Sequence, residues 1–124
     1  MKTLYASDLH GRVNLYGDLM ELASRSAARL VILGGDLFPT IIPNPVTLIN
    51  GRADFQNDLK GQLRFVESYL APTLRDFLSA RPGVRLLYIP GNHDWIPAVK
   101  RFEEALPGAM NIHARTVSLN GHDF

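Results

Sequence analysis

The chain has 124 residues, which is enough for one domain with a substantial core and too few for two ordinary domains. Hydrophobic residues make up 46% and charged residues 20% of the sequence, as in a typical soluble globular protein. The formal net charge of +1 gives no general attraction to nucleic acid or to an anionic membrane. The absence of cysteine excludes both a disulfide framework and a thiolate metal site.

No apolar run approaches the length of a signal-peptide core or of a membrane span. The sequence is therefore expected to form a single soluble domain over residues 1–124, or part of one, with no membrane association. A cytoplasmic location is consistent with the lack of cysteine.

The first third of the chain predicts a strand–helix–strand unit. Thr3–Ser7 is a short apolar-rich strand that runs into the turn Asp8–Gly11. Apolar residues at helical spacing predict an amphipathic helix from about Val13 to Arg29. The continuous apolar run Leu30–Leu33 predicts a strand covered on both faces, and it ends in Gly34–Asp36. This order of elements implies a right-handed crossover and parallel pairing.

The middle of the chain predicts a long loop and then a long helix. The segment Phe38–Asp54 contains three prolines and an Asn-Gly pair, which favours an irregular loop beside the same edge of the sheet. Pro72 lies inside the helical pattern that follows and should kink that helix near Ala71 or divide it. The apolar face of this helix consists of Leu59, Leu63, Val66, Leu70, Leu74 and Phe77.

The last third predicts a buried strand at Leu86–Ile89 and a helix with Pro97 in its first turn. A short strand is predicted at Asn111–His113, and the alternation over Thr116–Leu119 predicts another. Asn120-Gly121 is a strong hairpin signal, after which His122 begins a return strand.

Polar side chains follow three of the predicted parallel strands, at the point where each strand ends. They are Asp8 and His10, then Asp36, then Asn92 and His93. Ligands bind beyond the carboxyl ends of the strands in open α/β sheets. Carboxylate oxygens, an imidazole nitrogen and an amide oxygen are ligands for Mn²⁺, Fe, Zn²⁺ or Mg²⁺. The one-residue skip between Asp8 and His10 is expected to point both side chains the same way from extended backbone.

Each signal also has a purely structural interpretation. Asp8 and His10 alone would suit a helix cap and a surface histidine. Gly-Gly-Asp at Asp36 would suit a turn whose carboxylate bonds its own backbone. Asp94 would suit the N-cap of the helix that contains Pro97. Three such signals at three strand ends favour a metal site.

The segments Asp8-Leu9-His10-Gly11, Gly35-Asp36 and Gly91-Asn92-His93-Asp94 resemble the first three motifs of the calcineurin-like metallophosphoesterases. The resemblance covers residues 1 to about 119 and implies a four-layer α/β/β/α sandwich, with parallel strands and flanking helices. It also implies a binuclear centre of divalent ions, with Mn²⁺ expected first, that generates the hydroxide which attacks the phosphoester.

By position, the resemblance assigns Asp8 and His10 to the first metal, Asp36 to the bridge and Asn92 to the second metal. It makes His93 the catalytic histidine that stabilises or protonates the leaving-group oxygen. Asp94 is expected to support the site rather than to react.

The sequence departs from the family in two places. Leu37-Phe38-Pro39-Thr40 lacks the acidic residue and arginine of the phosphoprotein-phosphatase branch. Gly121-His122-Asp123-Phe124 begins like the later Gly-His-x-His motif but has Phe124 at the second histidine. The chain is therefore expected to be the N-terminal half of the domain, truncated at its C-terminus, with His113 and His122 outside the metal site. Such a half would expose an apolar sheet face that favours self-association.

The expected function is metal-dependent hydrolysis of a phosphorylated small molecule or a phosphodiester. Nucleic acid is a less favoured substrate because the sequence has no basic stripe. The main alternative is a truncated or degenerate, non-catalytic module that binds a metal or a partner. An unrelated nucleotide-binding fold is a poor rival because no Gly-x-Gly-x-x-Gly follows the first strand.

Overall fold

A computed structural model describes residues 2–40 and 51–113 and two short strands at Ser118–Leu119 and His122–Asp123. For residues 51–57 and the two short strands it describes the backbone alone.

Four parallel strands form the central sheet and stand side by side in chain order. They are β1 (Thr3–Ser7), β2 (Leu30–Gly34), β3 (Arg85–Ile89) and β4 (Ala109–Asn111). The predicted parallel pairing of the strands is confirmed. Because the strands run in one direction without stagger between β1, β2 and β3, their carboxyl ends meet at one edge.

The helices connect these strands. They are α1 (Val13–Arg25), α2 (Gly51–Phe65), α3 (Ala71–Ala80) and α4 (Ile96–Ala105). None of the helices in the described part of the chain is long and apolar enough to cross a membrane.

The described helices contribute their buried side chains to one face of the sheet. Right-handed crossovers between strands that stand in chain order place every connecting helix on the same side. The strand residues Val31, Leu33, Leu86 and Tyr88 belong accordingly to one cluster with the helical core. The helical members of that cluster include Tyr16, Phe65, Val66, Leu70, Leu74, Phe77, Ala98 and Phe102.

The opposite face of the sheet has a separate, smaller apolar cluster. Leu30, Leu87 and Ile112 are buried in it, and Ile32 and Ile89 pack against it while partly exposed. The mixed α/β fold with flanking helices agrees with the sequence-based prediction.

The long second helical segment is divided where Pro72 predicted a break. A π-helical turn at Val66–Leu70 separates α2 from α3, and Pro72 lies in the first turn of α3. Proline has no N–H for the fourth residue before it, so the regular hydrogen-bond ladder cannot continue through this position. The N–H of Ala71 donates instead to the carbonyl of Val66, five residues earlier.

The predicted loop at Phe38–Asp54 is wrong at its C-terminal end, because α2 already begins at Gly51. Residues 41–50 of that prediction lie outside the described residues. The helix extends about two turns before the first residue of the predicted apolar face, Leu59, so apolar periodicity gave no signal for the start of α2.

The C-terminal elements agree in part with the prediction. The strand β4 begins at Ala109 and ends at Asn111, two residues earlier than predicted. The strands β5 (Ser118–Leu119) and β6 (His122–Asp123) pair antiparallel with Leu119 opposite His122, as a hairpin requires. Thr116 lies outside the described residues.

The helix α1 ends four residues before the predicted Arg29 because the chain turns at Ala27. Ala27 has a φ of 54°, and its N–H donates to Ser24 while the N–H of Ala28 donates to Ala23. This is the Schellman arrangement, in which the left-handed residue is normally glycine. Alanine carries a steric cost there because its Cβ crowds the backbone.

We expect Ala27→Gly to raise the free energy of unfolding by about 0.5–1 kcal/mol, since glycine removes that crowding and offsets part of the gain through chain entropy. Urea denaturation of the 124-residue chain measures this change in the free energy of unfolding. Ala80→Gly, at an exposed right-handed position in α3, is the control and should lower stability instead. Equal losses for the two variants would contradict the assigned cap.

The side chain of Tyr16 ties α1 to the segment that follows β2. It is fully buried, and its hydroxyl donates a 2.7 Å hydrogen bond to the carbonyl of Leu37. Burial raises the pKa of the Tyr16 hydroxyl well above its ordinary value, and the charges of Asp94 and Tyr69 raise it further. The folded protein therefore holds this proton at pH values where the unfolded chain has lost it.

We expect Tyr16→Phe to cost about 1 kcal/mol near neutral pH, because Leu37 keeps a second donor from the N–H of Gly11. Wild-type stability should fall as the pH rises above 10.0, because the unfolded state then binds fewer protons than the folded state. In Tyr16→Phe the free energy of unfolding should decrease less steeply with rising pH than in the wild type. Urea denaturation at a series of alkaline pH values measures this difference. Tyr5→Phe, at a side chain that is 65% exposed, should follow the wild type.

Candidate metal centre

The turn after β1 brings Asp8 and His10 together through left-handed backbone rather than through strand alternation. The strand ends at Ser7, and Asp8 and His10 have φ values of 56° and 48°. The expected extended geometry is therefore wrong at these two residues. Leu9 between them is buried in the core. Asp8 caps no helix, because the residue at the N-cap of α1 is Arg12.

The turn after β2 is joined to the turn after β1 by main-chain hydrogen bonds. The N–H of Asp8 donates to Gly35 at 3.2 Å, and the N–H of His10 donates to Asp36 at 2.8 Å. Asp36 also has left-handed backbone, with a φ of 48°. Non-glycine residues in this region cost of order 1–3 kcal/mol each, and such strain concentrates at functional sites.

The Asp36 carboxylate faces the loop after β3 with one oxygen and His10 with the other. Its Oδ1 accepts from the main-chain N–H of His93 at 3.0 Å and lies 3.2 Å from His93 Nδ1. Its Oδ2 lies 4.0 Å from His10 Nε2. The carboxylate does not bond its own backbone in the way the turn interpretation required.

These contacts keep Asp36 ionised. Burial opposes its charge, but the hydrogen bonds from the backbone and ring of His93 and the charges of His93 and His10 hold the pKa of Asp36 below its usual value. The Asp36 carboxylate therefore contributes a negative charge at this edge of the sheet.

Asp8, His10 and Asp36 each offer one ligand atom, and these atoms lie within 4.8 Å of one another. The donors are two carboxylate oxygens and one imidazole nitrogen, which suits divalent ions such as Mn²⁺, Fe²⁺ or Zn²⁺. The other ring nitrogen of His10, Nδ1, lies 3.4 Å from the Thr40 hydroxyl, which sequence reasoning missed. A metal-binding histidine is commonly oriented through its second nitrogen in this way.

Asn92 and His93 lie together on the loop after β3, and both are exposed. His93 contacts Asp36 directly, and its ring centroid is 6.1 Å from that of His10. Asn92 lines a neighbouring cavity of about 450 Å³ with Lys100 and His113. His113 itself is exposed, and the side chain of His122 lies outside the described residues.

Gly91 allows the loop after β3 to approach Asp36 closely. A Cβ at this position would collide with the main-chain nitrogen and the carboxylate of Asp36. The glycine of the Gly91-Asn92-His93-Asp94 segment is therefore required by contact between two loops, which the sequence does not show.

The buried carboxylate of Asp94 joins the same two loops. Its Oδ2 accepts from the N–H groups of Leu37 and Gly91 at 3.0 and 2.9 Å, and its Oδ1 accepts from Phe38 at 3.0 Å. Burial raises the pKa of Asp94, although the three N–H groups act in the opposite direction. Asp94 is not the N-cap of α4, a position that Trp95 occupies. The supporting position expected for Asp94 agrees with these bonds.

We expect Asp94→Asn to destabilise the protein by about 2–3 kcal/mol, because the amide places a donor against a main-chain N–H and removes charge-assisted hydrogen bonds. Thermal or urea denaturation checks this loss. Asp18→Asn is the matched control, since Asp18 is exposed on α1. A loss no larger than that of the control would contradict the joining of the loops by Asp94.

The family model described as calcineurin-like phosphoesterase matches residues 1–122. No curated protein matches the chain.

Two solved structures share the fold. TT1561 of Thermus thermophilus is similar with a TM-score of 0.57 and 18% identity, over 96% of this chain and 44% of that one. A second structure is similar with a TM-score of 0.53 and 15% identity, over 97% of this chain and 49% of its own. The chain thus spans less than half the length of either structure. With the family match over nearly its whole length, the chain belongs to the calcineurin-like phosphoesterase family.

Proposed function

We propose that this chain provides a metal centre for the hydrolysis of a phosphoester. Family membership supports metal-dependent phosphoester hydrolysis as the general activity. The observation that carries the proposal for this chain is the convergence of Asp8, His10 and Asp36 from two strand ends. That donor set fits a divalent cation by ligand type and by spacing.

We assign Asp8, His10 and Asp36 to the first ion, and Asp36 and Asn92 to a second. One oxygen of Asp36 lies beside His93 and the other faces His10, which supports a bridging position. Mn²⁺ is our first choice because the donors are mainly hard oxygens with one imidazole. When bound, the ions supply an activated water and neutralise charge on the phosphoryl group.

His93 is assigned to the leaving-group oxygen. Its side chain is 57% exposed, and its Nδ1 contacts Asp36 Oδ1, so the ring is oriented while the rest of it faces solvent. An imidazolium in this position can donate a proton to a departing alkoxide.

The proposed substrate is a phosphorylated small molecule or a phosphodiester. A polynucleotide is less favoured, because the net charge of +1 provides little attraction to a phosphate backbone. We further propose a cytoplasmic location.

The alternative is a non-catalytic module that binds a metal or a partner, including a second copy of the chain. The face of the sheet opposite the helices favours binding of a partner, because apolar side chains are exposed on it. Tyr5 is 65% exposed there, and Ile32 and Ile89 are partly exposed. An enzyme with a binuclear centre takes up two Mn²⁺ ions per chain and hydrolyses an aryl phosphate monoester or diester. An inert module binds one ion or none and shows no turnover.

We expect Asp36→Asn to weaken Mn²⁺ binding by about 100-fold or more, which corresponds to about 2.7 kcal/mol. The amide keeps an acceptor for the N–H of His93 while it removes the negative charge, so the fold should be retained. Isothermal titration with Mn²⁺ measures the affinity, and circular dichroism checks the fold.

Asp18→Asn is again the control, because it removes the same charge from an exposed position on α1. Unchanged Mn²⁺ affinity in folded Asp36→Asn would remove Asp36 from the centre and would overturn the assignment.

A further inference from the structure

Gln62 is a fully buried polar side chain that belongs to none of the strand-end motifs. It lies in α2. Among the residues whose side chains the structure describes, the buried polar or charged ones are Gln62 and Asp94. A buried amide is costly unless its donors and acceptor are paired, so its partners indicate what it does.

The amide of Gln62 bonds the main chain of two different loops. Its Nε2 donates to the carbonyl of Pro39 at 3.1 Å and to that of His93 at 2.7 Å. Its Oε1 accepts from the N–H of Trp95 at 2.9 Å. Two carbonyls and one N–H fix which end of the amide is nitrogen, and both N–H groups and the oxygen are used.

Both loops carry residues of the candidate metal centre. Pro39 lies three residues after Asp36 and directly before Thr40, whose hydroxyl is 3.4 Å from His10. His93 is held at its carbonyl by Gln62 and contacts Asp36 through its N–H and its ring. Gln62 therefore holds the carbonyl of His93, while the N–H and the ring of the same residue contact Asp36.

A second contact from α2 supports the same loop. The indole N–H of Trp95 donates to the Asp58 carboxylate at 2.7 Å, one turn before Gln62. The helix thus bonds residues 93–95 at three points, which restricts both the position and the tilt of this loop.

The π-helical turn keeps Gln62 on the buried side of its helix. Gln62, Val66, Leu70 and Leu74 are all buried at a spacing of four residues. In a regular α-helix each such step drifts by about 40°, so three steps would turn the stripe by about 120°. The wider turn at Val66–Leu70 cancels part of that drift, so the amide and the apolar residues beyond it face the same way.

We propose that Gln62 is a positioning residue for the metal centre, which sets His93 against Asp36 by holding the main chain of the loops after β2 and β3. Its effect on metal uptake rests on the proposed function, whereas its effect on the loops does not. A purely structural Gln62 would contribute to global stability alone.

The first test needs no metal. Gln62→Met keeps the length of the side chain and removes all three hydrogen bonds. Leu70→Ala is a control that weakens the same buried stripe and leaves the Gln62 amide and its hydrogen bonds to both loops in place. Amide hydrogen exchange is measured by NMR on the 124-residue chain. We expect the His93 and Trp95 amides to exchange at least about 10-fold faster in Gln62→Met than in Leu70→Ala, after correction for global stability. Equal exchange in the two variants would overturn the proposal.

The second test uses Mn²⁺ alone as the probe. Loss of a residue that orients ligands typically costs about 10–100-fold in metal affinity, so we expect Gln62→Met to bind Mn²⁺ about 10-fold more weakly than Leu70→Ala. Affinity equal to that of the control would overturn the positioning role. If the wild type binds no Mn²⁺, the proposed function fails, and the exchange comparison still decides the role of Gln62.

Gln62→Glu keeps the comparison decisive if the methionine variant does not fold. At a pH at which it is ionised, the glutamate retains an acceptor for Trp95 but lacks the two donors to Pro39 and His93. We expect faster exchange at the His93 amide with the Trp95 amide still protected. Wild-type exchange at His93 in this variant would overturn the proposal.

Discussion

The hydrogen bonds of the Asp94 carboxylate are the interaction on which the candidate metal centre depends. This buried group accepts from main-chain N–H groups of the two loops that meet at the edge of the sheet. A carboxylate in an apolar core is costly unless it is fully paired, so the three donors hold both loops in the one arrangement that satisfies it. Asp36 and His93 face each other in that arrangement.

Gln62 acts on other main-chain groups of the same loops. Asp94 accepts from N–H groups of both loops, whereas Gln62 bonds a carbonyl of each loop and one N–H. Between them, the two side chains pair six main-chain groups of these two loops. An apolar core supports the sheet, and two polar groups within it hold the main chain of the loops that carry Asp36 and His93.

The architecture explains why the residues of the candidate metal centre lie at one edge of the sheet. Parallel strands in chain order place their carboxyl ends together, and helices on a single face leave the other face to a small apolar cluster. Beyond the strands, the chain reverses through left-handed residues at Asp8, His10 and Asp36. Main-chain hydrogen bonds between the turns stabilise this strained backbone, which directs the ligand atoms to one point.

The sequence alone determined the strands, their parallel pairing, the break at Pro72 and the family, because apolar periodicity, proline and short motifs are local signals. It also identified Asp8, His10 and Asp36, which the structure brings together. Only the tertiary structure decided how they converge, where α2 begins, and that Gln62 and Asp94 join the loops. Left-handed turns and contacts between residues about 30 to 60 positions apart depend on neighbours supplied by the rest of the chain, so no local pattern records them.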